Sequence, residues 1–195
     1  MDNEIYYNPG VKSGIFLQYI IYIIIEFSNM NRYTSVTHPD INNGSGFRTT
    51  LWISGCGHRC PGCHNEWMWD YAIGKPLEES WKEVIMGVWH EYCQGLTISG
   101  GDPLMRDDGD LQEIKEYIKR YRKVFPAKDI WLYTGYDLEE MSDLQKEICG
   151  MCDVVCTGRY VEELKDLSLP FRGSSNQHLY NVIRGDDGRV SFSDR

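Results

Sequence analysis

The stretch TTLWISGCGHRCPGC, residues 49–63, joins a β-strand pattern to a cysteine-rich loop. Its opening residues, TTLWIS, combine β-branched and aromatic side chains, which favours a strand. The cysteines that follow are Cys56, Cys60 and Cys63, in the spacing C-x3-C-x2-C. Glycines between them let the backbone turn tightly around a bound group. The pattern therefore predicts a strand that presents three thiolates to a soft metal centre.

The number of cysteines in this loop indicates the kind of metal site. A structural metal site normally fills its coordination shell, whereas a catalytic site keeps one position open. A four-iron cube held by three cysteines leaves one iron free. Zinc is the alternative, with His58 or His64 as the fourth ligand. Because His64 directly follows Cys63, joint tetrahedral coordination by these two residues would be awkward.

Downstream of the loop, strand patterns alternate with helical patterns. Helical spacing begins near Trp81, Asp110 and Asp137, and strand-like runs occupy residues 96–98, 130–133 and 153–156. Strands separated by helices predict βαβ units, a mainly parallel sheet and an α/β fold. Ligands in such folds bind beyond the carboxyl ends of the strands. We therefore expect the segments that follow the strands to gather at one rim: the cysteine loop, Ser99–Pro103 and Thr134–Tyr136.

Composition narrows the class of protein. The chain has 195 residues, of which 42% are hydrophobic, and a formal net charge of −9. This balance fits one globular domain and argues against a nucleic-acid binder, which normally carries a basic face. The chain has seven cysteines and no recognisable secretion signal. An odd number of cysteines fits a disulfide framework poorly and fits metal binding or redox chemistry better. We expect a protein of the reducing cytoplasm.

The N-terminal part of the chain contains one long apolar run, Ile15–Ile25. It is shorter than the roughly 20 residues that span a bilayer, and its flanks do not match a signal peptide, so we expect no membrane association. The predicted organisation is an N-terminal extension over residues 1–29, one domain over residues 30–183 and a loose polar tail over residues 184–195. Met30 falls where we expect the domain to begin.

The cysteine loop resembles the signature of the radical S-adenosylmethionine superfamily. More closely, residues 30–177 resemble the activating proteins of anaerobic ribonucleoside-triphosphate reductases. The motifs that carry the resemblance are NGSG at 43–46, SGC at 54–56, CPGC at 60–63, SGGDPL at 99–104, DIW at 129–131, TGY at 134–136 and RGSSNQ at 172–177. Each motif alone is weak, but together, in this order, they are highly specific.

The resemblance implies a partial (β/α) barrel with mainly parallel strands and a 4Fe–4S cluster on Cys56, Cys60 and Cys63. It also implies that S-adenosylmethionine binds the open iron and is cleaved by one electron from a low-potential donor such as flavodoxin. The products are methionine and a 5′-deoxyadenosyl radical, which takes a hydrogen atom from a glycine of the reductase. The cofactor supplies the difficult chemistry, and the protein supplies orientation.

Further site residues are implied by the same resemblance. Gly62, Cys63 and His64 are expected to line the adenosyl side of the bound cofactor. His64 stands where the family pattern has tyrosine, so an imidazole takes the place of a phenol there.

The turn after the next strand is expected to hold the methionine side. Gly100 and Gly101 would let the backbone approach the ligand, and Asp102 would favour its ammonium group. The segments Thr134–Tyr136 and Arg172–Gln177 match the family, but the sequence alone gives them no role.

Two questions stay open at this level. Cys149, Cys152 and Cys156 form a second C-x2-C-x3-C pattern, for which packing in the core is favoured over a second metal site. The alternative functions are activation of another glycyl-radical enzyme, such as a formate lyase, and a zinc-stabilised binding module without catalysis.

Overall fold

The computed structural model describes residues 31–195. Predictions for residues 1–29, including the run Ile15–Ile25, lie outside the described residues. The strands are β1 (Arg32–Asp40), β2 (Phe47–Ile53), β3 (Lys75–Pro76), β4 (Cys93–Gly100), β5 (Asp129–Tyr133), β6 (Val154–Thr157), β7 (His178–Arg184) and β8 (Val190–Asp194). The α-helices are α1 (Trp81–Val88), α2 (Asp108–Val124) and α3 (Asp143–Gly150), and short 3-10 helices occupy Glu66–Met68, Leu77–Ser80 and Glu162–Leu164.

The strands form one eight-stranded sheet in the order β3-β1-β2-β4-β5-β6-β7-β8. The pairs β2–β4, β4–β5 and β5–β6 are parallel, as predicted for the centre of an α/β fold. The outer pairs are antiparallel, so the whole sheet is mixed rather than mainly parallel. For β1–β2 and β7–β8 the connecting loops are short, and such loops join only antiparallel neighbours. The sheet is open, and the α/β class is confirmed at this level.

The two faces of the sheet carry different side chains, because successive residues of a strand point to opposite sides. On β5, Ile130 and Leu132 join the large apolar core that includes residues of all three α-helices. Trp131 lies in a separate small cluster on the other face, with Tyr133 and Phe171 packed against it. The helices therefore cover one face, and the other face carries aromatic and polar side chains.

The third helix begins later than the sequence pattern predicts. Ser142 caps α3 by accepting from the amide of Gln145, whose side chain accepts in turn from the amide of Ser142. Asp137 and Glu140 make a reciprocal turn ahead of the helix, with bonds of 3.0 and 3.2 Å. Two successive segments satisfy the capping pattern, and tertiary packing makes only the second one helical.

The polar C-terminal stretch is not loose. Val190–Asp194 forms the edge strand β8, which pairs along the length of β7. The amide of Arg195 donates to the carbonyl of Leu179 at 2.9 Å, so the pairing extends to the last residue. An edge strand exposed to solvent needs few apolar residues, which is why its composition indicated a tail.

Arg48 is a fully buried cation on the face without helices. Its side chain is 0% exposed, and Nη2 lies 2.7 Å from Asp129 Oδ1. Nε donates to Thr97 Oγ1 at 2.7 Å, and Nη2 donates to the carbonyl of Leu96 at 2.9 Å. These contacts tie β2 to β4 and β5, the strands that position the loops at the carboxyl rim.

We predict that Arg48→Met lowers the free energy of unfolding by about 2–4 kcal/mol, because it leaves buried acceptors without a donor. Arg189→Met is the matched control. Its guanidinium pairs with Asp187 but is 89% exposed, so the loss should stay below about 1 kcal/mol. Urea unfolding of both variants tests this, and equal losses would contradict the structural role of Arg48.

Candidate functional site: a cysteine loop at the carboxyl rim of the sheet

A cavity of about 840 Å³ lies against the face of the sheet that carries no helices. Trp52, Ser99 and Tyr133 contribute to its lining from three neighbouring strands. The predicted residues that also line it are Cys56, Cys60, Cys63, His64, Gly100, Gly101 and Asp102. The segments that follow the strands therefore lie together at one rim of the sheet, as predicted.

The cysteine loop leaves β2 after Ile53 and is held by backbone hydrogen bonds. The amide of Cys56 donates to the carbonyl of Trp69 at 3.1 Å, and the amide of Cys63 donates to the carbonyl of Cys60 at 3.1 Å. Cys56 is 8% exposed, whereas Cys60 and Cys63 are half-buried. The three thiols therefore border one cavity from a short, internally bonded loop.

Burial changes the acidity of these thiols. It raises the pKa of Cys56 to about 11, with a further contribution from the charge of Asp102. Burial also raises the pKa of Cys60. Because metals bind thiolates, loading the site must release these protons, and higher pH favours it.

The arrangement favours a cluster over a single ion. Within residues 31–195, no three Cys, His, Asp or Glu side chains converge closely enough to hold one metal ion. Zinc would draw its sulfur ligands to about 2.3 Å from one point. In a four-iron cube each cysteine binds a different iron, so the ligands stand further apart. Three thiolate donors, with His58 already bonded to Asp102, fit a cube that has one open iron.

Asp102 is the hydrogen-bonding centre of the site. Its carboxylate is 1% exposed and accepts from donors on several segments: Leu104 N at 2.8 Å, Gly135 N at 2.8 Å, His58 Nε2 at 3.0 Å and Thr134 Oγ1 at 3.0 Å. These bonds use the acceptor capacity of both oxygens. Asp102 lines the cavity while its oxygens bind donors of the protein, and its influence on a ligand ammonium stays a prediction.

His58 links the cysteine loop to this centre. It lies between Cys56 and Cys60, and its side chain is 2% exposed. Its ring stands edge-on to Tyr136, with 4.9 Å between centroids, and a Cβ on Gly135 would lie 2.5 Å from its ring. His58 thus serves as an anchor rather than a zinc ligand. The segment Thr134–Tyr136 thus packs against His58, a role that its sequence alone did not indicate.

We predict that His58→Ala lowers the free energy of unfolding of the cluster-free protein by about 1–3 kcal/mol, because buried Asp102 loses a partner. Iron retained after reconstitution should fall as well. His64→Ala is the control, since the described residues give His64 no hydrogen bond or ion pair, and its effect should stay within about 0.5 kcal/mol. Urea unfolding and iron analysis provide the measurements. Equal effects of the two substitutions would contradict the anchoring role of His58.

The glycine turn after β4 packs on the cysteine loop itself. The amide of Gly101 donates to the carbonyl of Ile53 at 2.7 Å, and that of Asp102 donates to Gly55 at 2.8 Å. A Cβ on Gly101 would lie 2.4 Å from the carbonyl oxygen of Gly55. A side chain there would therefore displace the backbone just before Cys56, in addition to narrowing the cavity.

Gly62 and His64 take different positions. His64 lines the cavity, and the neighbouring Asn65 donates from Nδ2 to the carbonyl of Gly100 at 3.1 Å. Gly62 is not among the lining residues, and a Cβ there would lie 2.2 Å from Oε2 of Glu162. Its positive φ of 75° suits glycine in the turn. A contact of Gly62 with the adenosyl group stays a prediction.

The segment Arg172–Gln177 forms a loop that binds back on itself. Gln177 Oε1 accepts from the amides of Gly173 and Ser174 at 2.8 and 3.2 Å, and its Nε2 donates to the carbonyl of Gly158 at 3.0 Å. Gly158 forms part of the cavity wall. The segment therefore supports that wall, a non-local role that the motif itself does not show.

The second cysteine pattern lies in the protein interior. Cys149 and Cys152 are 0% exposed and belong to the core on the helix side. Cys156 is 1% exposed and belongs to the small cluster on the other face. Because the sheet separates them, the three thiols cannot share one metal, which supports the packing interpretation.

Comparisons with known proteins agree with this site. A family model described as a 4Fe-4S single cluster domain matches residues 42–180. A protein of Escherichia coli (strain K12) is 38% identical over 157 residues, covering 79% of this chain and 99% of its own. One from Salmonella typhi is 37% identical, covering 77% and 99%. One from Enterobacteria phage T4 is 37% identical, covering 78% and 96%. All three are named anaerobic ribonucleoside-triphosphate reductase-activating protein.

The fold and the cysteine loop thus define an iron–sulfur protein with a 4Fe–4S single cluster domain. Extensive identity over nearly the whole length of the relatives places the chain in the family of anaerobic ribonucleoside-triphosphate reductase-activating proteins. The motif-based resemblance is confirmed, and the chain is an activating enzyme. Within residues 31–195, no helix is long and apolar enough to cross a membrane.

Proposed function

We propose that this chain generates a glycyl radical on an anaerobic ribonucleoside-triphosphate reductase, by reductive cleavage of S-adenosylmethionine at a 4Fe–4S cluster. The observation that carries the proposal is the position of Cys56, Cys60 and Cys63 around one cavity at the carboxyl rim. Three ligands leave one iron of a cube open to a cofactor. The names of the relatives support the choice of reductase.

The residues of this chain would hold and orient the reacting groups. Cys56, Cys60 and Cys63 would bind three irons, and His58 with Asp102 would fix the loop that carries them. When bound, the cluster would supply the electron for reductive cleavage of S-adenosylmethionine, the chemistry that leads to hydrogen removal from a glycine of the reductase. The cavity walls would exclude water and competing hydrogen donors from that radical.

Several finer features belong to the same proposal. The open sheet with one bare face is compatible with a partial (β/α) barrel around the cofactor. A low-potential donor such as flavodoxin would reduce the cluster. Residues 31–195, with β8 included, would form the catalytic domain, which would act in the cytoplasm.

The experiment is anaerobic reconstitution with iron and sulfide, followed by reduction and electron paramagnetic resonance. We expect the signal of a reduced 4Fe–4S cluster and equal yields of methionine and 5′-deoxyadenosine. Cys56→Ala, Cys60→Ala and Cys63→Ala should each abolish cleavage, because the cube loses a ligand. Adding the reductase should produce a glycyl radical.

Cys149→Ala and Cys152→Ala are the matched controls, because both thiols are buried in the core. These variants should retain the cluster signal and most of the cleavage activity. Loss of the cluster in the controls would contradict the ligand assignment. Tight binding of one zinc ion without cleavage would instead favour the binding-module alternative.

A further inference from the structure

Arg106 is held against the backbone that leads into the cysteine loop. Among residues 31–195, its guanidinium donates hydrogen bonds to neutral oxygens only: the carbonyls of Ser54, Gly55 (3.3 Å) and Met105 (2.8 Å), and the side-chain oxygen of Asn31 (2.8 Å). Because Gly55 directly precedes Cys56, the guanidinium lies beside the start of the loop that carries the predicted ligands. These bonds engage its donors but do not neutralise its positive charge.

Neighbouring side chains fix Arg106 to the same loop. Its guanidinium carbon lies 4.7 Å from the centre of the Tyr71 ring, and the Tyr71 hydroxyl donates to the carbonyl of Met105 at 3.1 Å. The amide of Gly57, inside the loop, donates to Sδ of Met105 at 2.8 Å. A Cβ on Gly55 would lie 2.2 Å from the ring of Tyr71. None of Tyr71, Met105 and Arg106 belongs to the described lining of the cavity, so they support the loop from outside it.

No carboxylate of the described chain forms an ion pair with this cation. None of the ion pairs among residues 31–195 includes Arg106. Burial lowers the pKa of Arg106, and nearby acidic groups, among them Asp102 and Cys56, oppose that effect. An arginine nevertheless stays protonated in a protein. Its positive charge therefore lies within electrostatic reach of the Cys56 sulfur.

Two further arginines lie near the cysteines, but their surroundings weaken their charges. Arg59 is part of the cysteine loop and is exposed. Arg159 lines the cavity, but its side chain is 54% exposed and it pairs with Glu140 at 3.7 Å. Water screens an exposed charge strongly, and a paired carboxylate cancels much of its field. Arg106 is half-buried and has no such partner, so its charge acts on the loop with less screening.

A charge near a 4Fe–4S cluster affects how easily the cluster accepts an electron. With three thiolate ligands the cluster is negative, and the carboxylate of Asp102 adds negative charge beside Cys56. Reduction adds one electron, which comes from the low-potential donor of the proposed function, and no covalent bond forms or breaks in that step. A nearby cation stabilises the reduced form more than the oxidised form, which raises the reduction potential.

We propose that Arg106 balances the negative charge of the cluster from behind the cysteine loop and raises its reduction potential. The proposal rests on the proposed function, because it requires the cluster. It assigns a role to a residue that lies beyond the end of the SGGDPL motif, at 99–104. Arg106 would act on electron entry, without contact with S-adenosylmethionine.

The test is an anaerobic redox titration of the cluster-loaded protein without S-adenosylmethionine, followed by electron paramagnetic resonance. Arg106→Gln keeps a neutral donor but removes the charge. It should lower the equilibrium constant for reduction about tenfold, which is about 59 mV for one electron. Arg106→Lys keeps the charge but loses the planar fork, and its equilibrium constant should change less than about threefold.

Arg122→Gln is the matched control. The Arg122 guanidinium also donates to backbone carbonyls, those of Met151 at 2.9 Å and Lys128 at 3.1 Å, but it pairs with Asp153 at 2.5 Å. Lys128 and Asp153 directly precede β5 and β6, at the opposite end of the parallel strands from the cysteine loop. This substitution removes the same charge from the protein and should leave the potential unchanged.

Several outcomes would overturn the charge role. Equal potentials of the wild-type protein and Arg106→Gln would leave Arg106 as an anchor of the loop only. If Arg106→Gln holds no cluster, a loaded Arg106→Lys variant with a nearly unchanged potential supports the charge role. Loss of the cluster in both folded variants contradicts it and favours anchoring by the fork.

The wild-type protein distinguishes failure of this role from failure of the proposed function. If reconstituted wild-type protein holds no 4Fe–4S cluster, the proposed function fails together with the role of Arg106. A normal wild-type cluster that cleaves S-adenosylmethionine, with an unchanged potential in Arg106→Gln, removes the role of Arg106 alone.

Discussion

The buried carboxylate of Asp102 is the interaction on which the geometry of the site depends. It joins the cysteine loop through His58 to the end of β5 through Thr134 and Gly135. A buried carboxylate is costly unless its oxygens are bonded, so the surrounding donors must all be in place when the chain folds. The same bonds that satisfy Asp102 therefore fix the distance between the cysteines and the strands that line the cavity.

The residues that support the site are different from those that are left to bind a ligand. Asp102, His58 and Gln177 form hydrogen bonds with other parts of the protein. The cysteines border the cavity and are left for a bound group. The proposed radical chemistry would need such rigid support, because small displacements would expose other hydrogen atoms to attack.

Sequence reasoning predicted the features that depend on local pattern. The parallel centre of the sheet and the convergence of the post-strand segments follow from alternating strands and helices. The sequence pattern predicts the start of α3 too early, because two adjacent segments carry capping residues. The prediction of a loose tail over residues 184–195 was wrong, because an edge strand can be as polar as a tail. The partnership of His58 with Asp102 joins residues 44 positions apart, which no local pattern reveals.

In the proposed site, three cysteines hold a cube whose fourth iron is open to S-adenosylmethionine. Mössbauer spectroscopy of the protein reconstituted with the iron-57 isotope tests it most directly, before and after addition of the cofactor. We predict that about a quarter of the iron signal differs from the rest and shifts when S-adenosylmethionine binds. Four irons whose signals do not respond to the cofactor would contradict the account.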